Sequence, residues 1–343
     1  MFEQFGGKVT KGEKAKLSLS TQWDGKKFVN QLETGMDFSL KDFPALLFQN
    51  IKGKSARAPQ KNLDYISFKT NKINAALPQF AWFGHAAMYL QLAGLNLLID
   101  PMLGPDASPI GPIRTKRYSE NTLSIIDDLP EIDAIFITHD HYDHLDLASI
   151  QNLKGKTSRF FVALGVKRHL ERWGIPAHKI EEFDWWDEGK IDSVKFTFTP
   201  SRHFSGRGLT DRAKSLWGGW MFQTQTHQVY WSGDGGFGPH FEKIGERFGP
   251  SDWGFMECGQ YNKLWQQIHM MPEEAVKAAI DAKVKNAIPV HWGGFTLALH
   301  HWKDPIDRFV QESQMLRQDI LTPKIGEQVN MGEIKTDFWW CGI

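Results

Sequence analysis

Short apolar stretches punctuated by polar clusters organise the chain from about residue 80 onward. Met88-Tyr89-Leu90-Gln91-Leu92 and Asn96-Leu97-Leu98-Ile99 flank Ala93-Gly94-Leu95, which predicts a hairpin. Residues 133–138 form an apolar run that ends in polar positions, the pattern of a buried strand feeding a loop. Residues 194–199 alternate and stop at Pro200, and 219–224 with 228–231 predict a second hairpin. Over 272–285 the period lengthens. Pro272 suits a first helical turn, Glu273 and Glu274 suit the positive end of the dipole, and Val276, Ala279, Ile280 and Val284 share a face. A strand at 287–290 follows. Strands mixed with helices, with polar clusters just past strand ends, predict a layered α/β protein.

Residues 1–75 differ. They are polar apart from Phe43-Pro44-Ala45-Leu46-Leu47-Phe48 and lack the periodicity to bury a core of their own. The expectation is an N-terminal extension (1–75) packing on one main domain (76–343). A short amphipathic helix is expected over 45–51, docked on the core or, alternatively, touching a membrane. The 343 residues are 41% apolar, enough for a sizeable core. Lys+Arg and Asp+Glu both number 40, so no basic excess points to nucleic acid, and no nucleic-acid partner is expected. Two cysteines, Cys258 and Cys341, make neither a disulfide framework nor a thiolate zinc pair. The chain opens without the apolar core of a secretory signal, and no run reaches the ~18 residues of a membrane span. A cytoplasmic protein is expected, with peripheral bilayer contact through 43–48 or the Trp185-Trp186 and Trp339-Trp340 pairs as the alternative. The sequence sets no oligomeric state.

Chemistry concentrates in His139-Asp140-His141-Tyr142-Asp143-His144-Leu145-Asp146, directly after the strand at 133–138. In an extended loop, His139 and His141 point the same way and can share one metal, while Asp143 and His144 can face a second. Imidazole and carboxylate suit zinc and its first-row neighbours. Three further residues stand at the ends of apolar strands: His203, Asp234 and His291. Small residues around Asp234 would let backbone approach an ion.

Taken together, this HxHxDH run, the later histidine, Ser232-Gly233-Asp234 and Val290-His291-Trp292 resemble the ligand set of the metallo-β-lactamase superfamily. The resemblance covers about residues 80–305. It implies an αββα sandwich with metals at one edge of two packed sheets. It further implies that His139, His141 and His203 hold one metal, that Asp143, His144 and His291 hold the other, and that Asp234 bridges them. A narrower likeness is to the N-acylphosphatidylethanolamine-hydrolysing phospholipase D branch, whose bacterial members include proteins called RomA. It rests on Trp82-Phe83-Gly84-His85-Ala86, Ile99-Asp100-Pro101, Ser108-Pro109, the run from Phe241 to Pro250, His269 with Pro272-Glu273-Glu274-Ala275, and His291-Trp292-Gly293. Trp23-Asp24-Gly25-Lys26-Lys27-Phe28 extends it into the N-terminal part. Between Met256 and Trp265 the chain departs from the animal enzymes.

The resemblance implies a dinuclear hydrolase with two divalent ions, zinc first, manganese or iron as alternatives. Two ions about 3.5–4 Å apart can hold a bridging hydroxide that attacks phosphorus or a carbonyl carbon. Asp143 would orient it or take its proton, and His269 would bind a substrate oxygen. Tyr261, Trp265 and His301 are weaker candidates for the substrate wall. Trp217, Trp220 and Trp292 would join an aromatic cleft if they face the metals, and equally suit core packing. His85 is read as supporting or structural, and Asp100 as the acceptor that orients a ligand histidine. The expected substrate is a phospholipid or smaller phosphodiester. A lactonase or other carbonyl hydrolase is the alternative, and a non-catalytic metal-binding module the second alternative.

Overall fold

The structure, a computed structural model, describes residues 3–35, 56–73, 77–108, 115–333 and 336–343. The patch at 43–48, the helix expected over 45–51 and Pro109 lie outside the described residues.

Among the described residues, fourteen strands form two seven-stranded sheets. The first contains β1 (Gln79–Trp82), β2 (Met88–Leu92), β3 (Leu95–Ile99), β4 (Ile132–Ile137), β5 (Thr157–Ala163) and β6 (Ile180–Phe183). The second contains β7 (Glu188–Ile191), β8 (Val194–Thr199), β9 (Gly219–Gln223), β10 (Gln228–Trp231), β11 (Ser251–Glu257), β12 (Val284–Val290) and β13 (Asp319–Ile320). Strand β14 (Gln328–Asn330) returns to pair with β1. The orders are β14-β1-β2-β3-β4-β5-β6 and β13-β12-β11-β10-β9-β8-β7. Each sheet joins an antiparallel block to a parallel one: β3 to β6 run parallel, as do β10 to β13.

The inner faces meet through aromatic rings. Phe80 of β1 lies 4.8 Å from Trp253 and 4.9 Å from Phe255 of β11. Phe136 of β4 packs edge-on against Phe196, Trp220 and Phe222 of β8 and β9. Such offset and edge contacts add to the area each ring buries. Trp220 and Trp292 are therefore core residues, and Trp292 stacks on Trp82 and Trp339. They do not line an aromatic cleft.

Helices cover the outer faces: α1 (Lys11–Leu17), α2 (Ile125–Asp128), α3 (Leu147–Leu153), α4 (Lys167–Arg172), α5 (His240–Phe248), α6 (Pro272–Asp281) and α7 (Asp304–Leu316). Helix α6 ends four residues before the sequence pattern predicted. Ala282 caps it, Lys283 turns at φ +55°, and Val284 opens β12 instead of extending the helical face. Ile280, predicted on the buried face, is 41% exposed; Ala275, Val276, Ala278 and Ala279 make the contact. A β-branched residue followed by an apolar run fits a strand at least as well as a helix end, and the parallel pairing with β11 decides it.

The N-terminal part adds Leu17, Phe28, Leu63 and Phe68 to the same buried cluster as the sheets. Helix α1 starts at a capping box between Thr10 and Glu13. Both cysteines are free, Cys258 buried and Cys341 exposed. Among the described residues, no helix is long and apolar enough to cross a membrane.

Candidate metal centre

In a parallel block all C-terminal strand ends reach the same edge, where ligands bind in open α/β sheets. Here β3 delivers Asp100, β4 delivers the 139–144 loop, β10 delivers Asp234, β11 ends on Glu257 and β12 delivers His291. His203 arrives from the end of β8. The turns that aim these residues are tight: Asp100 has φ +42°, His291 +67° and Gly233 +62°. A Cβ on Gly233 would fall 2.2 Å from the Gly218 carbonyl oxygen, so only glycine fits before Asp234.

All seven residues expected as ligands come together. His141 Nδ1 lies 2.9 Å from His139 Nε2 and 3.2 Å from His203 Nε2. On the other side His144 Nε2 lies 3.3 Å from His291 Nε2, which is 3.2 Å from Asp143 Oδ2. Asp234 Oδ2 sits between the groups, 3.1 Å from His144 and His291 and 3.9 Å from His139 and His203. His139, His141 and His203 form one cluster whose donor atoms all lie within 4.8 Å of one another; Asp143, His144 and His291 form another together with His85.

The opposite ring nitrogens are held by acceptors. His144 Nδ1 donates to Asp100 at 2.9 Å, and His203 Nδ1 donates to the Ile268 carbonyl at 2.8 Å. Those bonds fix the tautomers in which each Nε2 lone pair faces inward. Imidazole nitrogens and carboxylate oxygens converging this closely fit a cation, and such a donor set suits zinc, manganese or iron.

Charge in the centre is partitioned. Burial works against ionising Asp234, yet His144 and His291 hold its carboxyl well below the usual range. Asp143 is held down likewise against burial, mainly by His144. Burial in turn disfavours the imidazolium of His144 and His291, but Asp234 and Asp143 raise both, His291 to about 10. Burial lowers His139 and His203 well below their ordinary value and His141 to about 4. The two carboxylates thus draw positive charge onto one half, where a divalent cation competes with protons.

His269 lies beside the centre. Its Nδ1 contacts Glu257, its ring stacks parallel to His291 at 5.4 Å, and part of it reaches solvent. Glu257 itself went unrecognised in the sequence. It is buried, accepts from the Gly235 amide, and lies 3.6 Å from His291 Nδ1; burial raises its pKa. Its signal was the one that marked Asp234 and His291: a polar residue closing an apolar strand. His85 Nε2 donates to Asp143 Oδ2 at 2.8 Å, and its backbone carbonyl holds the His291 amide.

The weaker substrate candidates are engaged by partners outside the seven donor residues. The Tyr261 hydroxyl bonds Asp304 and Arg308 at the start of α7, and Trp265 Nε1 donates to the Gln260 carbonyl. His301 is exposed and caps its own turn by accepting from Lys303 N; the neighbouring His300 turns inward, stacks on Tyr261 and accepts from Gln260 N. A cavity of about 350 Å³ adjoins His203. Phe28, Leu32, Phe204, Trp217 and Ile268 give it apolar walls, and Lys27 and Arg212 outnumber Glu33 among its charged residues. Arg212 lies 3.9 Å over the Phe204 ring, which in turn packs on His141 and His203.

Residues 95–292 match the family model described as "Beta-lactamase superfamily domain". An uncharacterised protein of Mycobacterium tuberculosis is 34% identical over 91% of this chain and 85% of its own. N-acyl-phosphatidylethanolamine-hydrolyzing phospholipase D 1 of Caenorhabditis elegans is 31% identical over 74% of each chain. Among solved structures, the metallo hydrolase Igni18 of Ignicoccus hospitalis superposes with a TM-score of 0.57 at 20% identity, covering 75% of this chain and 99% of that one.

Proposed function

The chain belongs to the metallo-β-lactamase superfamily and is a metal-dependent hydrolase, and on that premise we propose that it is a dinuclear phosphodiesterase acting on N-acylated phosphatidylethanolamine or a closely related lipid phosphodiester. The observation that carries this reading is the juxtaposition of two donor clusters with an apolar, net-cationic cavity that shares His203 with them. An anionic phosphodiester bearing acyl chains matches both charge and polarity. The likeness to the nematode phospholipase supports the same substrate class.

In this reading His139, His141 and His203 would hold one ion and Asp143, His144 and His291 the other, with Asp234 available to both. The ions are assigned as zinc. When bound they supply Lewis acidity at the phosphoryl oxygen and acidify water. Asp143, steadied by His85, is placed to accept the proton of the attacking water. His269, oriented by Glu257, binds a phosphoryl oxygen. Arg212 and Lys27 hold the anionic part of the lipid, and Phe28, Phe204 and Trp217 exclude water around its chains. We assign residues 1–75 as an extension packing on the core, of which Lys27, Phe28 and Leu32 help line this cavity, and 76–343 as the hydrolase domain.

The test is release of phosphatidic acid from N-acylphosphatidylethanolamine vesicles by purified, metal-quantified protein, beside Asp234→Asn. Cleavage by the wild type alone supports the assignment. A protein that retains two ions per chain and leaves the lipid intact refutes the substrate, and lactones and simpler phosphodiesters become the next panel.

A further inference from the structure

Asp140 separates His139 from His141 in the chain, yet its side chain turns away from the centre and is wholly buried. Its Oδ1 accepts from the Gly206 amide at 2.7 Å, three residues past His203. Its Oδ2 accepts from Ser215 Oγ at 2.6 Å and meets His169 Nε2 at 3.2 Å, with Arg168 Nη2 at 3.6 Å. One carboxylate thus ties the loop that carries His139 and His141 to the loop that carries His203. Arg207 makes the same tie from the other direction: Nη1 donates to the Asp140 and Leu145 carbonyls at 2.7 Å each, and the guanidinium lies over the Tyr142 ring.

Residues 3–7 fasten this junction from outside. Arg207 Nε and Nη2 both donate to the Gln4 carbonyl, at 2.9 and 2.8 Å. The Gly7 amide donates to His169 Nδ1 at 3.2 Å, so the His169 ring links Gly7 to Asp140. Arg168 Nε donates to the Gly7 carbonyl and Trp173 Nε1 to the Glu3 carbonyl. The fit admits no side chain. A Cβ on Gly6, which has φ +71°, would fall 2.0 Å from His169 Nδ1, and one on Gly7 would fall 2.3 Å from the Arg168 carbonyl oxygen.

We propose that Asp140 and Arg207 are positioning residues that set the spacing of the three-histidine pocket, and that the strap Glu3–Gly7 locks them, so that releasing the strap loosens metal held by His139, His141 and His203. The inference rests on the reading that these histidines bind metal. It concerns chiefly the ion held by His139, His141 and His203, because Asp140 joins the two loops that carry them, whereas Asp143 and His144 are reached only through Arg207 at Tyr142 and Leu145 and His291 is not reached.

The experiment loads the full chain with zinc and follows its release to a chromogenic chelator, together with melting of the metal-free protein. Partners outside the ligands themselves typically change metal affinity ~10–100-fold. Gly6→Ala and Asp140→Asn should each speed one of two release phases by a factor in that range and change the other by less. Glu3→Ala, whose strap contact is through its backbone, should release at the wild-type rates. If Gly6→Ala does not fold, Arg207→Lys reads the same question, since it keeps the charge and loses the two-pronged grip on Gln4. Variants that melt lower but release both ions at wild-type rates overturn the proposal and leave the strap a contributor to stability alone. A wild type that retains no zinc overturns the metal reading itself, and the proposal with it.

Discussion

Replacing Asp100 by asparagine exchanges one carboxylate oxygen for an NH2 group, and its effect follows from counting donors. The buried carboxylate accepts from Thr138 N at 2.8 Å, Thr138 Oγ1 at 2.7 Å and His144 Nδ1 at 2.9 Å. An amide offers one acceptor oxygen and one donor nitrogen. If its oxygen stays on Thr138 N, its NH2 faces His144 Nδ1 and is satisfied only when that nitrogen has lost its proton. The ring proton then moves to Nε2, the atom aimed at Asp234 and His291. If the amide flips, the Thr138 amide is left facing a donor, a buried mismatch of about 1–3 kcal/mol. Backbone strain is not added, because asparagine tolerates the φ of +42°. The expected loss of affinity for one metal is ~10–100-fold, or about 1.4–2.8 kcal/mol. Competition titration against a metal indicator measures it, with circular dichroism to establish that the variant is folded. Folded Asp100→Asn that binds both ions within twofold of wild type refutes the tautomer argument.

Other consequences are as specific. Asp234→Asn removes the carboxylate set among four imidazoles and should cut bound metal from two ions to one or none per chain, read by elemental analysis, with turnover reduced at least ~100-fold. Phe136→Ala empties the meeting point of Phe161, Phe196, Trp220 and Phe222 and should cost about 3–5 kcal/mol in urea unfolding; a cost under about 1 kcal/mol would contradict the packing described. Burial lowers His85 and His240 to about 3 and His141 to about 4, so the unfolded metal-free chain binds more protons than the fold below pH 6.5. Stability present above that pH should fall on acidification by about 1.4 kcal/mol per pH unit for each such histidine, and a flat urea midpoint from pH 7 to 5 would sink the point. His291, raised to about 10 with carboxylate help, contributes in the opposite sense: its stabilisation is full below pH 6.5 and lost as pH rises toward 10. Metal competes with that same proton, so indicator titrations should show tighter binding as pH rises from 6.5.

Several elements were legible in the chain alone because their cause is local. Strand β8 falls where alternation placed it and β10 where the second hairpin was expected, and the HxHxDH loop follows a buried strand as its apolar run implied. The density of histidines and aspartates at 139–146 identifies metal chemistry without any knowledge of what lies nearby. Distant partners are another matter. Nothing local decides that Val284 starts a strand; its parallel pairing with β11 does. Nothing local separates Trp220, sealed between two sheets, from an aromatic residue lining a cleft, since burial is a property of what packs on a side chain. The convergence of Asp100, Asp234, Glu257 and His291 comes from parallel strands whose C-terminal ends meet at one edge, which only the sheet order establishes. Asp140 makes the distinction within a single motif. It stands between two histidines in the chain, but a strand-like alternation sends its side chain the opposite way, into a buried network with Gly206, Ser215, His169 and, through His169, Gly7. Sequence determined the chemistry available to this protein, and the tertiary structure decided which of those groups face one another, because contacts across more than a hundred residues of chain are set by packing and not by local preference.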